Sequence, residues 1–290
     1  MFLQQLVTGI SIGGIYALLA TGYSLIYSLL DFSNWAHGEF AMVGAYVAIV
    51  FSTFVGLPFL PAAIMGIVGG ALISYASEKV TYRRIRRNGA PNMFLMVAAM
   101  GLSNMFQQAS ILIFSGQYRS YAFRLPVSTI NVGGAYIGVL DLISLAITAV
   151  VLVILIYLIN KTQFGLNVRA IACNAYTAKV LGVKVDHSIA LVFLLAGALA
   201  GVGGVLYGMK YNVFPQMGNV GLKAFIASVI GGLGSVPGAI VGAIVLGILE
   251  TMVSGYISSS LRDLFSFTLL IVLLLVKPSG LFGVDVQDKA

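Results

Sequence analysis

The sequence has very few charged residues and almost no cysteine, and both shortages restrict what the protein can be. Charged residues make up 9% of the 290 positions and hydrophobic residues 59%, whereas a soluble domain has about 25% charged residues. A chain with so few polar groups can neither cover a water-facing surface nor remain disordered, so both classes are excluded. Its one cysteine, Cys173, rules out an internal disulfide and a cysteine-based metal site.

Basic residues are absent before Lys79 and then occur in two groups. Because a secretory signal peptide begins with basic residues, we expect the first apolar segment to stay in the protein. Each basic side chain would cost about 3 kcal/mol at the centre of a bilayer, so both groups are predicted to lie in loops. The positive-inside rule makes these loops, 79–91 and 161–186, cytoplasmic, and it explains the net charge of +7 without a nucleic-acid partner. The groups are Lys79, Arg83, Arg84, Arg86 and Arg87, then Lys161, Arg169, Lys179 and Lys184.

Seven apolar runs are predicted to cross a membrane, because about 20 helical residues span a hydrocarbon core about 30 Å thick. An eighth segment, 220–253, is interrupted by the glycine-rich stretch 231–238, which predicts a broken or re-entrant helix near 223–253. We therefore predict an all-α integral membrane protein, a single domain over residues 1–290, with eight or nine membrane segments. The seven runs are 5–30, 38–56, 58–78, 92–115, 139–160, 187–209 and 262–276.

The positions of the basic loops also predict the orientation of the chain. Three spans precede the first basic loop, so a cytoplasmic loop places the N-terminus outside. Lys277 and Lys289 favour a cytoplasmic C-terminus, which requires the segment 220–253 to cross twice. A single crossing would place the C-terminus outside, and the sequence leaves both options open.

Glycine is unusually frequent, with 34 residues in the chain against a usual share of about 7%. Pairs four positions apart, such as Gly9 and Gly13, predict helices that pack with close backbone contact. The stretch from Gly13 to Tyr16 resembles the stretch from Gly203 to Tyr207. An internal repeat, which many transporters contain, or chance would explain this similarity.

The sequence contains no motif that carries catalysis or nucleotide binding. It has no Walker A motif, no G-x-S-x-G turn and no H-E-x-x-H pair, and its two histidines are far apart. We therefore expect no enzyme activity and no cofactor in this chain. Glu39 is the one acidic residue near an apolar run that is not expected at a helix end. The acidic residues expected there are Asp31, Asp141, Glu250 and Asp263.

The segment from Asn34 to Glu39 is the densest polar cluster in the apolar N-terminal third. It either forms a short interfacial turn, with Trp35 among the headgroups, or places ionisable groups at a gate or in a pathway. Non-helical backbone within a membrane is tolerated where it lines a cavity, so the glycine-rich break is also a pathway candidate. The candidate pathway or gate residues are Asn34, His37, Gly38, Glu39, Gly231, Gly232, Gly234 and Ser235.

The second basic loop is predicted to contain a helix over residues 165–181, which Gly182 ends. One face of this helix carries mostly small residues, as suits a segment that fits into a groove of another protein. Taken alone, an interfacial connector and a docking element both explain the pattern.

In combination, these features resemble the permease subunits of bacterial ATP-binding-cassette (ABC) importers for branched-chain amino acids. The resemblance runs over nearly the whole chain, and the order and spacing of its blocks make it specific. The blocks are Gly14 to Leu18, Asn34 to Glu39 with Gly44 to Tyr46, residues 165–186, Lys223 to Gly242, and the closing motif Lys277 to Gly283.

The resemblance implies that several chains divide the work. A second related permease, different or identical, would complete the pathway, two ATPase subunits would bind ATP and Mg²⁺, and an extracytoplasmic protein would deliver the substrate. Leucine, isoleucine or valine would then cross the inner membrane by alternating access. In this family the loop between the fifth and sixth spans couples to the ATPase, which corresponds to Gly165, Arg169, Ala170, Asn174, Ala178 and Gly182.

Two alternatives to this expectation remain open. Related permeases carry urea, short amides or aromatic acids, and Trp35 stands where a smaller aromatic residue is expected. A secondary transporter or channel for a small polar solute is the competing class, although such a protein would place ionisable groups within its spans.

Overall fold

The structure, a computed structural model, describes residues 2–121, 128–132 and 135–283, so Lys289 lies outside the described residues. Helices dominate it, and one short antiparallel hairpin, β1 (Thr129–Val132) and β2 (Ala135–Gly138), lies between α5 and α6. The helices are α1 (Phe2–Leu30), α2 (His37–Thr53), α3 (Phe59–Ser77), α4 (Arg83–Arg87), α5 (Asn92–Phe114), α6 (Val139–Lys161), α7 (Gln163–Cys173), α8 (Ala175–Val180), α9 (Val185–Tyr211), α10 (Val220–Gly231), α11 (Val236–Tyr256) and α12 (Arg262–Val276).

The predicted all-α membrane class is confirmed, but the predicted eight or nine membrane segments are too many. Within the described residues, seven helices are long and apolar enough to cross a bilayer. The count is lower because α2 has only 17 residues and α10 only 12, about 25 Å and 18 Å of helix. The seven are Phe2–Leu30, Phe59–Arg87, Asn92–Phe114, Val139–Lys161, Val185–Tyr211, Val236–Tyr256 and Ser259–Val276.

The first group of basic residues is helical, whereas the sequence predicted a loop from residue 79. A π-helical turn, Glu78–Tyr82, joins α3 to α4 without a break. The arginines are tolerated there because Asp186 at the start of α9 pairs with them, at 2.8 Å from both Arg86 and Arg87. We call the end of the bundle that holds α4 and the start of α9 the basic end.

The helices α2 and α10 both begin in the middle of the bundle. The Nε2 atom of His37 lies 3.0 Å from the carbonyl oxygen of Leu19, which is roughly 16 Å along α1 from its end at Leu30. Residues 31–36 therefore turn back into the bundle before α2 begins. The start of α10 lies against the start of α2, because a Cβ atom on Gly38 would come within 2.8 Å of the Cα atom of Gly221. From this meeting point, α10 runs to the basic end and α2 runs away from it.

The packing of the helices supports an internal repeat of opposite orientation. Helix α1 packs against α10 and α11, as α9 packs against α2 and α3. The contact between α2 and α3 corresponds to the contact between α10 and α11. In the same way, α5 contacts α2 and α12 contacts α10. The two similar sequence stretches, Gly13 to Tyr16 and Gly203 to Tyr207, belong to the matching helices α1 and α9. Inverted repeats of this kind form the core of many transporters.

Closely spaced glycines allow the long helices to touch along their backbones. In α1, a Cβ atom on Gly9 would lie 2.9 Å from the Cα atom of Ile248, and one on Gly13 would lie 2.8 Å from the Cα atom of Ile244. The neighbours are backbone atoms of α11, which cannot move aside as a side chain can. The sequence-based interpretation of these glycines as packing positions is therefore confirmed.

Substitution of Gly13 by alanine should destabilise the fold, because the added methyl group overlaps the backbone of α11. We expect Gly13→Ala to lower the free energy of unfolding by about 1–3 kcal/mol, measured as thermal unfolding of the purified protein in detergent. The control is Gly101→Ala in α5, where nothing lies within 4 Å of an added Cβ atom. That change should leave stability unaltered or slightly raise it, and equal stability of both variants would contradict the packing.

Candidate functional site

Glu39 links three elements where α2 and α10 meet. Its side chain is only 3% exposed, and its Oε1 atom accepts a hydrogen bond of 3.1 Å from the hydroxyl of Ser103 in α5. Its carboxylate packs against Gly218, in the 3₁₀ turn that leads into α10, where an added Cβ atom would displace the carboxylate. A carboxylate beside a helix N-terminus is stabilised by the helix dipole. Glu39 is therefore a buried contact at membrane depth and does not lie in an interfacial turn.

The neighbouring polar residues hold the returning segment in position. His37 is fully buried, and its Nε2 atom donates to the carbonyl oxygen of Leu19. Asn34 uses its Oδ1 atom to accept hydrogen bonds from the hydroxyl of Tyr82 at 2.8 Å and from the backbone N–H of Ala36 at 3.2 Å. Gly38 provides the close approach to α10. These contacts account for Asn34, His37 and Gly38 as residues that fix the position of the start of α2.

One face of this region is open in the single chain. Trp35 is 38% exposed, and its ring lies 5.6 Å from the ring of Phe225 on α10. On α5, Gly101, Asn104 and Gln108 are exposed and share one side of the helix. Exposed amide side chains within a membrane-crossing helix are unfavourable against lipid, so this polar face of α5 suits contact with another protein chain or a water-filled pathway.

A buried charge network lies at Glu250, where the sequence predicted only a helix end. Glu250 is fully buried within α11. It accepts hydrogen bonds from the hydroxyls of Tyr16 at 3.0 Å and Ser266 at 2.8 Å, and Lys223 of α10 lies 2.6 Å from its Oε1 atom. The prediction was wrong because α11 continues for six residues beyond Glu250 to Tyr256.

Two residues at the start of α12 complete the network. The Nζ atom of Lys223 also lies 2.6 Å from the carboxylate of Asp263, and Arg262 lies 3.8 Å from Glu250. Two positive and two negative side chains therefore balance one another and fasten α10 to α11 and α12. The sequence did carry a signal, because Lys223 and Glu250 each stand alone in an apolar stretch and a buried charge requires a partner.

The glycine-rich break lies at the basic end of the bundle. Gly232 and Gly234 have φ values of 104° and 84°, which glycine adopts without strain, and Ser235 caps α11 by accepting from the N–H of Gly238 at 3.2 Å. Gly231 packs directly on Gly238. The break borders a cavity of about 600 Å³ that it shares with the end of α1 and with residues 171–175. Of the candidate gate residues, Gly234 and Ser235 thus lie beside the segment predicted to dock.

The closing motif of the sequence covers the end of α10. The backbone N–H groups of Leu281 and Phe282 donate to the carbonyl oxygens of Ile230 and Gly231, both at 2.9 Å. Carbonyl groups at a helix C-terminus lack partners within the helix, so this motif satisfies two of them.

The predicted docking helix over residues 165–181 is two helices, α7 and α8, with a break at Asn174. The helix prediction failed there because the Asn174 side chain accepts from the N–H of Thr177 at 2.9 Å and starts a new helix. Gly165 presses on the carbonyl of Ile159, and Arg169 donates to the same carbonyl at 2.9 Å. Of the remaining predicted coupling residues, Ala178 is buried, Ala170 is half-buried, and Gly182 ends α8 with a φ of 88°.

The helix α8 presents apolar side chains to solvent at the basic end. Tyr176 is 78% and Leu181 76% exposed, and Val180 is exposed beside them. We call these three residues the α8 patch. An exposed apolar patch marks a surface that contacts another protein or the membrane.

The charge network predicts that substitution of its two acidic residues will reduce stability by unequal amounts. Glu250→Gln leaves Lys223 and Arg262 without their buried counter-charge, so we expect a loss of about 3 kcal/mol in the free energy of unfolding. Asp263→Asn, the matched control, removes the 70% exposed partner of the same lysine and should cost less than about 1 kcal/mol. Thermal unfolding of both variants is the measurement, and equal losses would show that burial of Glu250 does not determine its contribution.

Comparison with known proteins assigns the chain to a family. The family model described as the permease component of branched-chain amino acid transport systems matches residues 5–274. The chain is 33% identical to the high-affinity branched-chain amino acid transport system permease proteins BraD of Pseudomonas aeruginosa and LivH of Escherichia coli K12. The alignments cover 99% of this chain and 98% and 97% of those proteins.

A solved structure supports the fold. A chain of PsaBC from Streptococcus pneumoniae, determined in complex with Fab, superposes with a TM-score of 0.53 at 15% identity, covering 97% of this chain and 94% of that one. The family match and the relatives that align over nearly their full length agree with the sequence resemblance and with the helical membrane fold. This chain therefore belongs to the family of permease components of branched-chain amino acid transport systems.

Proposed function

We propose that this permease forms part of the route by which an ABC importer carries leucine, isoleucine or valine into the cell. The observation that carries the proposal is the family match over residues 5–274, because the relatives are named for that transport. The apolar helices and the family support a multi-pass protein of the inner membrane. The positive-inside rule favours a cytoplasmic basic end and an extracytoplasmic N-terminus.

The importer would need further subunits in three roles. The sequence has no Walker A motif, so ATP and Mg²⁺ would be bound by two ATPase subunits that dock at the basic end. The exposed amides Asn104 and Gln108 favour a second permease chain, different or identical, that meets this one across the polar face of α5. An extracytoplasmic protein would supply the amino acid. This chain would thus act as a transport component and not as an enzyme.

The geometry suggests how movement at the basic end reaches the middle of the membrane. The segment α7–α8 borders the same cavity as the break at Gly234 and Ser235, and the break is continuous with α10. At its other end α10 contacts Gly38 and Glu39 through Gly218 and Gly221. ATP-driven displacement of α7–α8 would therefore shift α10 relative to α2 and open the pathway alternately to either side.

If an ATPase docks on the α8 patch, a charged residue introduced into the patch should disrupt the complex of permease and ATPase. Leu181→Asp should prevent co-purification of the ATPase, because burial of a carboxylate in an apolar contact is unfavourable. Asn88→Asp adds the same charge at another exposed position of the basic end and should leave the complex intact. Retention of the ATPase by Leu181→Asp would contradict docking at this patch.

The pathway hypothesis predicts that the polar face of α5 affects transport more than folding. Asn104→Leu with Gln108→Leu should lower uptake of labelled leucine by proteoliposomes at least about tenfold, through loss of polar groups along the route. The control is Met105→Leu, an exposed apolar neighbour that should transport normally. Normal uptake by the double variant would exclude this face from the pathway.

The same proteoliposomes test the function itself. Leucine uptake should require ATP and the binding protein, and competition by urea, short amides and aromatic acids would identify a different substrate. Uptake that follows an ion gradient without ATP would instead establish a secondary transporter. In that alternative the buried charges Lys223 and Glu250 would be the ionisable groups within the spans.

A further inference from the structure

A second cavity at the basic end lies between α4, α8 and the start of α9, apart from the break. Its volume is about 540 Å³. Arg83 and Arg87, one helical turn apart on α4, form one wall. Lys179 of α8 and Lys184, which precedes α9, form another, and the exposed His187 lies close by.

The charges around this cavity do not balance. Among its described lining residues, Asp186 is the one acidic side chain, and its carboxylate is already shared by Arg83 at 3.6 Å and by Arg86 and Arg87 at 2.8 Å. Within the ranges that the structure describes, no carboxylate pairs with Lys179 or Lys184. The cavity therefore offers two ammonium groups without a carboxylate partner and two guanidinium groups that share one carboxylate. Both kinds of group form strong charge-assisted hydrogen bonds with phosphate oxygens.

The exposed side of α3, the helix that continues into α4, is suited to an acyl chain. An exposed apolar stripe follows α3 from the far end of the bundle towards the basic end. The exposed side of α3 continues along the π-helical turn, where Val80 is exposed, to the exposed Arg84 and Arg87 on α4. Lipid chains that lie along the stripe would bring their headgroups to the arginines, at the depth where basic side chains reach the interface. The stripe consists of Leu60, Ile64, Val68 and Leu72.

We propose that the cavity lined by Arg83, Arg87, Lys179 and Lys184 binds the phosphate group of an anionic phospholipid. The lipid would lie with its chains along α3 and its headgroup between α4 and α8. Because α8 belongs to the segment that docks the ATPase in the proposed function, the bound headgroup would set the position of that segment against the transmembrane helices. The site itself does not depend on which solute the permease carries.

The test measures lipid bound to the full-length chain, purified together with any subunits that accompany it. Native mass spectrometry would measure phospholipid retained after incubation with vesicles of phosphatidylglycerol or of phosphatidylcholine. We expect a preference for phosphatidylglycerol, and Lys179→Gln with Lys184→Gln should weaken it about 25-fold, since each basic residue near anionic headgroups contributes about fivefold. Lys161→Gln, an exposed lysine outside the cavity, controls for the general attraction of basic side chains to anionic headgroups and should weaken it no more than about fivefold.

Three results would overturn the proposal. Equal retention of the two lipids by the unmodified protein would show that the cavity has no preference for an anionic headgroup. Stabilisation by inorganic phosphate alone, without any lipid preference, would make free phosphate the ligand. Loss of ATPase co-purification in the double lysine variant, with phosphatidylglycerol retention unchanged, would assign the cavity to the protein partner. Normal thermal unfolding of the double variant establishes that its lipid retention reports on binding and not on misfolding.

Discussion

The backbone contact between the starts of α2 and α10 is the constraint on which the rest of the structure depends. Two helices can begin in the middle of a bilayer only if the polar groups at their first turns are shielded from lipid. Gly38, Gly218 and Gly221 lie so close together that a methyl group on Gly38 or Gly221 would overlap neighbouring backbone, and the Glu39 carboxylate fills the space beside Gly218. The surrounding long helices enclose this junction and shield it from lipid.

Paired charges and backbone hydrogen bonds hold the short helix that leaves this junction. Helix α10 has only 12 residues, most of them buried, and it is also fastened at both ends. Lys223 joins its first turn to Glu250 and Asp263, and the N–H groups of Leu281 and Phe282 bind the carbonyl groups of its last turn. The cost of burying Glu250 is offset because its oxygens accept from two hydroxyls and pair with cations.

Features that depend on local sequence could be predicted, and features that depend on distant contacts could not. The apolar runs, the glycine pairs of α1 and the αL residue Gly182 follow from composition, spacing and turn chemistry. The depth of the segment from Asn34 to Glu39 could not be predicted from the sequence. A short polar segment has the same composition whether it lies at the surface or folds back into the bundle. Asn174 was placed inside a helix, since the sequence does not show that its side chain caps α8. The buried state of Glu250 depended on Lys223, 27 positions away on another helix.

The packing of α10 against α11 limits how the pathway could open. Gly231 contacts Gly238, and Gly242 contacts Ala227, so the two helices touch along their backbones and cannot slide independently. Transmission between sites requires an element with two arrangements, and the close backbone contacts between α10 and α11 leave little room for these two helices to rearrange against each other. We therefore expect the pair to move as one body, with the backbone bending at its outer connections. Asn212, a non-glycine residue with a φ of 70°, stands where α9 gives way to the strained segment that leads to α10, which makes that segment the natural pivot.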